Sequence, residues 1–112
     1  MNGNNFEILF LPQACDFLDT LNEKTRDKIF YDIDKSRKGR DSRVFKKLEN
    51  TDGIWEFRTD LKNIEYRLLA FWDKNKRAFV VATHGFVKKT QKTPSKEIKK
   101  AQQIRKKYYG QE

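Results

Sequence analysis

The sequence predicts an α+β domain. An N-terminal strand and a helix hairpin pack on one face of an antiparallel β-meander, and a C-terminal helix lies on the surface. Three observations predict this. Two stretches of helical periodicity fall between residues 12 and 39, and three strand-like runs follow between residues 54 and 87. No regular βαβ alternation occurs, so the natural packing sets helices on one side of an antiparallel meander rather than around a parallel sheet. A length of 112 residues suits one domain spanning 1–112, large enough to bury a core without metal or disulfide staples.

In chain order, Phe6, Ile8 and Phe10 alternate onto one face of a short strand. Pro12 suits the first position of a helix, and Ala14, Phe17, Leu18 and Leu21 recur as its apolar stripe. Asn22 can cap a second helix, whose apolar side is Ile29, Phe30 and Ile33 and which Gly39 stops. Residues 40–53 are mostly polar, anchored by Val44, Phe45 and Leu48, with a turn signal at Asp52-Gly53. Strands are expected at 54–59, 64–72 and 77–87, joined by turns at 60–63 and 73–76. Strand parity sets Trp55, Phe57, Tyr66, Leu68, Phe79 and Val81 against the N-terminal helices. Thr93-Pro94 reads as cap and first position of a helix over 94–109, with a thin apolar stripe of Ile98, Ala101, Ile104 and Tyr108. Cys15, among apolar neighbours, is expected to be a small buried hydrophobe.

Charge bears on function more than hydropathy does. The formal net charge is +9, unevenly placed. Residues 1–34 carry three basic and seven acidic side chains, a net of −4; residues 35–85 carry thirteen and seven, net +6; residues 86–112 carry nine and two, net +7. Such asymmetry points to a polyanionic partner for the C-terminal two-thirds, with RNA the leading reading. The bland reading of the same charge is a solvated surface. A single cysteine permits no intramolecular disulfide, and one histidine cannot supply a multi-histidine zinc site. Glycine-rich phosphate loops and Gly-x-Ser-x-Gly elbows are missing, so neither metal nor cofactor is expected. Neither a membrane span nor a signal peptide is legible, which sets the expectation of a cytoplasmic protein.

What remains is a set of cations on the strands. Glu56 and Arg58 share one face of their strand; Glu65, Arg67, Leu69 and Phe71 share one face of the next. An arginine among apolar neighbours must pair with a carboxylate, such as Glu56 or Glu65, or receive an anionic ligand. The third strand runs from His84 into Lys88, Lys89 and Lys92. Beside Arg58 and Arg67, lysines there would form a phosphate cradle; alone, they are a solvated strand end. Lys88 shares parity with His84, so only one of Lys88 and Lys89 points squarely into that cradle.

These runs resemble a known family. Ile-Trp-Glu-Phe-Arg at 54–58, Tyr-Arg-Leu-Leu-Ala-Phe-Trp at 66–72, and His-Gly-Phe-Val-Lys-Lys-Thr-Gln-Lys-Thr-Pro at 84–94, with Glu97 and Ala101, are similar to the RelE/ParE toxin superfamily. The nearest branch by this resemblance is the phage-derived, HigB-like toxins. The resemblance implies a microbial RNase-like fold and a type II toxin neutralised by a cognate antitoxin, of helix-turn-helix type. Toxic relatives mostly cut mRNA in the ribosomal A site. Carried over, the sheet arginine falls on Arg67, the basic pair on Lys88 and Lys89, and the Glu-x-Arg arginine on Arg58. Several relatives carry a tyrosine just after the basic pair, where this chain has Thr93, Pro94 and Ser95.

RNA cleavage by its own 2′-hydroxyl needs in-line geometry, a proton acceptor, charge stabilisation at phosphorus and a donor to the leaving oxygen. Arg58 and Arg67 suit the electrostatic role. Glu56, His84, Lys88 and Lys89 are the remaining catalytic candidates, and a lysine, near ~10.4 in water, would serve as base only beside other cations. Lys46, Lys47, Lys88, Lys89 and Lys92 are candidate RNA contacts. Two rivals stand beside the ribosome-dependent nuclease: a ParE-like inhibitor of DNA gyrase, and a module that binds RNA or DNA without cutting.

Overall fold

The computed structural model describes residues 5–39 and 41–111. The elements are β1 (Glu7–Phe10), α1 (Pro12–Asp19), α2 (Glu23–Gly39), β2 (Phe45–Lys47), β3 (Trp55–Leu61), β4 (Ile64–Trp72), β5 (Phe79–Lys88) and α3 (Ser95–Tyr108). They form one five-stranded sheet in the order β1-β5-β4-β3-β2. The meander β2–β5 is antiparallel, while β1 joins the far edge parallel to β5, Glu7 opposite Phe79. The expected α+β meander is therefore present, extended by a strand on each side.

Local chemistry accounts for the elements. Pro12 opens α1, and the Asn22 side-chain oxygen accepts the Thr25 backbone N–H at 2.8 Å to start α2. Arg26 locks the corner between them by donating to the carbonyls of Leu18 and Leu21. The β3–β4 hairpin turns on Lys62 and Asn63, both with positive φ (51° and 66°), as a two-residue turn matching strand twist requires.

The sheet has two covered faces. On one, α1 and α2 enclose Phe6, Ala14, Leu18, Ile29, Ile33, Phe45, Phe57, Tyr66, Leu68, Ala70, Val80 and Ala82. On the other, α3 covers only a small cluster, Ile54, Leu69 and Ala101, flanked by Leu48, Phe86 and Ile98. The helices thus do not share one side: the thin stripe of α3 covers the face opposite the hairpin.

Several expectations need correction. Val81 is buried, but opposite Phe71 and away from α1 and α2. Ala82 pairs with Ala70 and His84 with Leu69, so Thr83 is an extra residue, a β-bulge. Before it Val80 and Ala82 face α1 and α2; after it Gly85 and Val87 do, and His84, Phe86 and Lys88 face the other way. Trp55 and Phe79 are half-buried. Cys15 is exposed on the outer side of α1, its Sγ 3.6 Å from the Phe10 carbonyl. Pro94 rather than Thr93 occupies the cap of α3, because the Thr93 hydroxyl is engaged elsewhere.

Candidate functional site

The face of β2–β5 that α3 covers at one end carries polar side chains at the other, in cross-strand rows. Lys46, Glu56, Leu69 and His84 are successive partners; Arg58, Arg67 and Phe86 form the next row; Asp60, Glu65 and Lys88 form the one beyond. The structure therefore brings Lys46, Glu56, Arg58, Arg67, His84 and Lys88 to one face. Lys47 pairs with Trp55 and falls on the opposite side; Lys89 lies just past β5, and Lys92 in the loop before α3, all three exposed.

Arg67 is the centre of the arrangement and only 1% exposed. Its Nη1 donates to Asp60 Oδ1 at 2.9 Å and to the Tyr66 carbonyl at 2.8 Å; its Nη2 donates to Glu65 Oε1 at 2.9 Å. Asp60 and Glu65 are direct partners across the hairpin, a like-charge pairing that the guanidinium between them offsets. Arg67 Nε is buried without a hydrogen-bond partner among the described residues, its nearest carboxylate oxygen being Glu56 Oε1 at 3.9 Å. The same oxygen lies 3.8 Å from Arg58 Nε, so Glu56, 2% exposed, sits between two guanidinium groups. Its other oxygen accepts the Thr93 hydroxyl, which ties the loop before α3 to the floor of the site.

His84 lies under α3, 1% exposed, with Nε2 2.9 Å from Glu97 Oε1 and Nδ1 3.1 Å from the Thr83 hydroxyl. Burial holds the imidazole below its ordinary pKa, the Glu97 bond opposing and Lys100 adding to the shift. With Nε2–H donating to Glu97, neutral Nδ1 can only accept, and the single Thr83 hydroxyl proton is shared between it and the Leu69 carbonyl 3.2 Å away. The end of α3 is fixed at the opposite end of the sheet. There Tyr108 donates to Asp73 and is pushed up to about 12 by that hydrogen bond, while Tyr109 accepts the Lys74 backbone N–H. Neither tyrosine is near the Arg58–Arg67 row: both pack on Phe71.

Sequence reasoning missed Asp60 and Thr93. Asp60 shares parity with Glu56 and Arg58, a usable signal. Thr93 gave none, because its partner lies 37 residues away. Among the described residues no His/Cys/Asp/Glu group could hold a metal ion, and no helix is long and apolar enough to cross a membrane.

A five-stranded sheet with a helix pair on one face and a third helix on the other is the RelE toxin fold. The free-state structure of an E. coli RelE toxin with two arginines replaced by alanine aligns with a TM-score of 0.62 at 17% identity, covering 90% of this chain and 97% of that one. The RelBE2 toxin–antitoxin complex of Mycobacterium tuberculosis gives 0.58 at 20% identity, covering 75% and 99%. The intact E. coli RelBE toxin–antitoxin complex gives 0.56 at 16%, covering 78% and 99%. The chain belongs to the phage-derived Gp49-like protein family, matched over residues 16–106. No curated protein matches it.

Proposed function

We propose that this protein is the toxin of a type II toxin–antitoxin pair, a ribosome-dependent endoribonuclease that cleaves mRNA in the A site and is neutralised by a cognate antitoxin. The observation that carries this reading is the convergence of Arg58 and Arg67 on Glu56, with Lys46 and Lys88 in the flanking rows of the same sheet face. The fold shared with RelE toxins, two of them seen in complexes with antitoxins, supports it. Such a protein acts in the cytoplasm, where translating ribosomes are.

In this reading the 2′-hydroxyl oxygen attacks the adjacent phosphorus, the bond to the 5′-oxygen breaks, and the products are a 2′,3′-cyclic phosphate and a 5′-hydroxyl. Charge builds on the non-bridging oxygens, and guanidinium forks match them. Arg58, partly exposed, meets the phosphate directly. Arg67 meets it once Asp60 and Glu65 swing aside; they are 65% and 48% exposed, so their movement leaves the core intact. We assign Glu56 and His84 positioning roles: Glu56 holds both guanidinium groups, and His84 fixes α3 through Glu97. Proton transfer then falls to Lys88 and Lys89, with Lys46 and Lys92 as backbone contacts; Lys47, on the opposite side of the sheet, is not one of them. A modest catalyst suffices where the ribosome supplies the in-line alignment.

Single-turnover cleavage on programmed ribosomes, with a melting curve for each variant, tests this. Arg58→Ala should leave ribosome binding and melting nearly unchanged while slowing cleavage by about 10²–10³. Arg67→Lys should retain only part of the activity, since a point charge lacks the bidentate fork. Wild-type protein that cleaves nothing under any translating condition would refute the nuclease and leave gyrase inhibition or plain binding.

A further inference from the structure

We propose that the solvent face of α3 is a phosphate track that holds a second stretch of RNA, beyond the one at Arg58 and Arg67. The inference rests on the RNA-directed reading above and adds a surface to it. Lys96, Lys99, Lys100, Lys106 and Lys107 are all exposed on α3, opposite the buried Ala101 and Ile104. Among the described residues none of the five has an ion-pair partner.

The contrast with α2 makes that informative. There Lys28 pairs with Asp32, Lys35 with Asp41, and Lys38 and Arg37 with Asp34. On the hairpin side these four cations are neutralised in cis, whereas on α3 Arg105 pairs with Asp52 and the five lysines stay without an ion pair among the described residues. A helix dipole explains Lys106 and Lys107, which lie in the last turn, but not Lys96, Lys99 and Lys100 in the first two turns, where cations are disfavoured. Lys96 and Lys100 are also a like-charge pair at i,i+4, which weakens an isolated helix. These three positions lower helix stability and gain nothing within the chain.

Charge spacing identifies the partner. From Lys96 to Lys107 the helix rises ~16 Å, the length of about five phosphates at the ~3.4 Å per charge of one nucleic-acid strand, with the lysines in two groups at 96–100 and 106–107. The track is also continuous with the candidate site. It starts where Glu97 meets His84 and Thr93 meets Glu56, with Lys88, Lys89 and Lys92 leading into it. At its far end Gln102, Gln103, Lys106 and Tyr109 line a cleft of about 500 Å³, whose carboxylate, Asp52, is paired with Arg105.

The test uses Lys96→Gln/Lys99→Gln/Lys100→Gln, with Lys24→Gln/Lys35→Gln/Lys38→Gln on α2 as a control of equal charge. Binding to a labelled RNA duplex of about 16 base pairs is titrated against salt. The α3 variant should lower the log–log salt slope by about 2–3, and the α2 control by less than 1. On programmed ribosomes the α3 variant should need more protein to saturate yet cleave at the wild-type rate once saturated. Equal slope changes in both variants would reduce the lysines to bulk charge and overturn the track. Tighter binding of poly-glutamate than of the duplex, lost in the α3 variant, would make this an acidic-protein surface instead. Wild type that cleaves while the α3 variant keeps its slope refutes the track alone; wild type that neither binds the duplex nor cleaves refutes the parent reading.

Discussion

Burial under α3 keeps His84 neutral in the folded chain, and this makes stability sensitive to mild acid. The unfolded histidine takes a proton near ~6.5, while the folded one resists it to lower pH. Protons therefore favour the unfolded chain in that window, so stability is full above about pH 7 and declines as pH falls through ~6.5. Urea midpoints measured across that range should fall with acid in wild type, and His84→Gln, which keeps a donor for Glu97, should flatten the decline. Gly85, one residue on, is explained by space. A Cβ there would lie 2.2 Å from Phe17 Cδ2 and 2.7 Å from its Cγ, so the whole ring would have to move. Gly85→Ala should cost about 2–3 kcal/mol of unfolding free energy in urea titrations. The sequence exposed His84 as a titratable group beside a lysine run, but not the Glu97 that reaches back to it. Strand parity correctly put Arg67 among apolar residues with Glu65 at hand. It could not show that Asp60 closes the other side of the guanidinium, because that depends on hairpin register.

Element by element, what was legible follows from how strong each local signal is. Asn22, Pro12 and the apolar stripes of α1 and α2 act within a few residues, so both helices were readable. β2 was not: three residues, Phe45–Lys47, carry one inward side chain and two lysines, and only pairing with β3 makes them a strand. The Thr83 bulge inverted the reading of β5 because one inserted residue swaps the two faces of everything on one side of it. The β3–β4 turn offers a test at this scale. Lys62 and Asn63 both occupy left-handed backbone, which suits Asn and Gly better than Lys. Replacing the pair by Asn-Gly should raise stability by about 1 kcal/mol in denaturant titrations without altering ribosome cleavage.

Across the whole molecule, charge is unevenly divided: α1 and α2 carry six acidic and six basic side chains and balance, while the strands and helix that follow them are basic. A neutralising antitoxin is expected to gain most by covering the Arg58–Lys88 face with acidic or helical segments, or to exclude the toxin from the A site by bulk. A structure of the pair that left this face open and still fitted the A site would contradict both routes. The placement of β1 has a consequence for how the chain is born. β1 is made first yet pairs only with residues 79–82, and the side chains that pin Glu56 and His84 arrive later still, at Thr93 and Glu97. The cation face is therefore among the last parts of the fold to be completed during synthesis, however early its arginines are made.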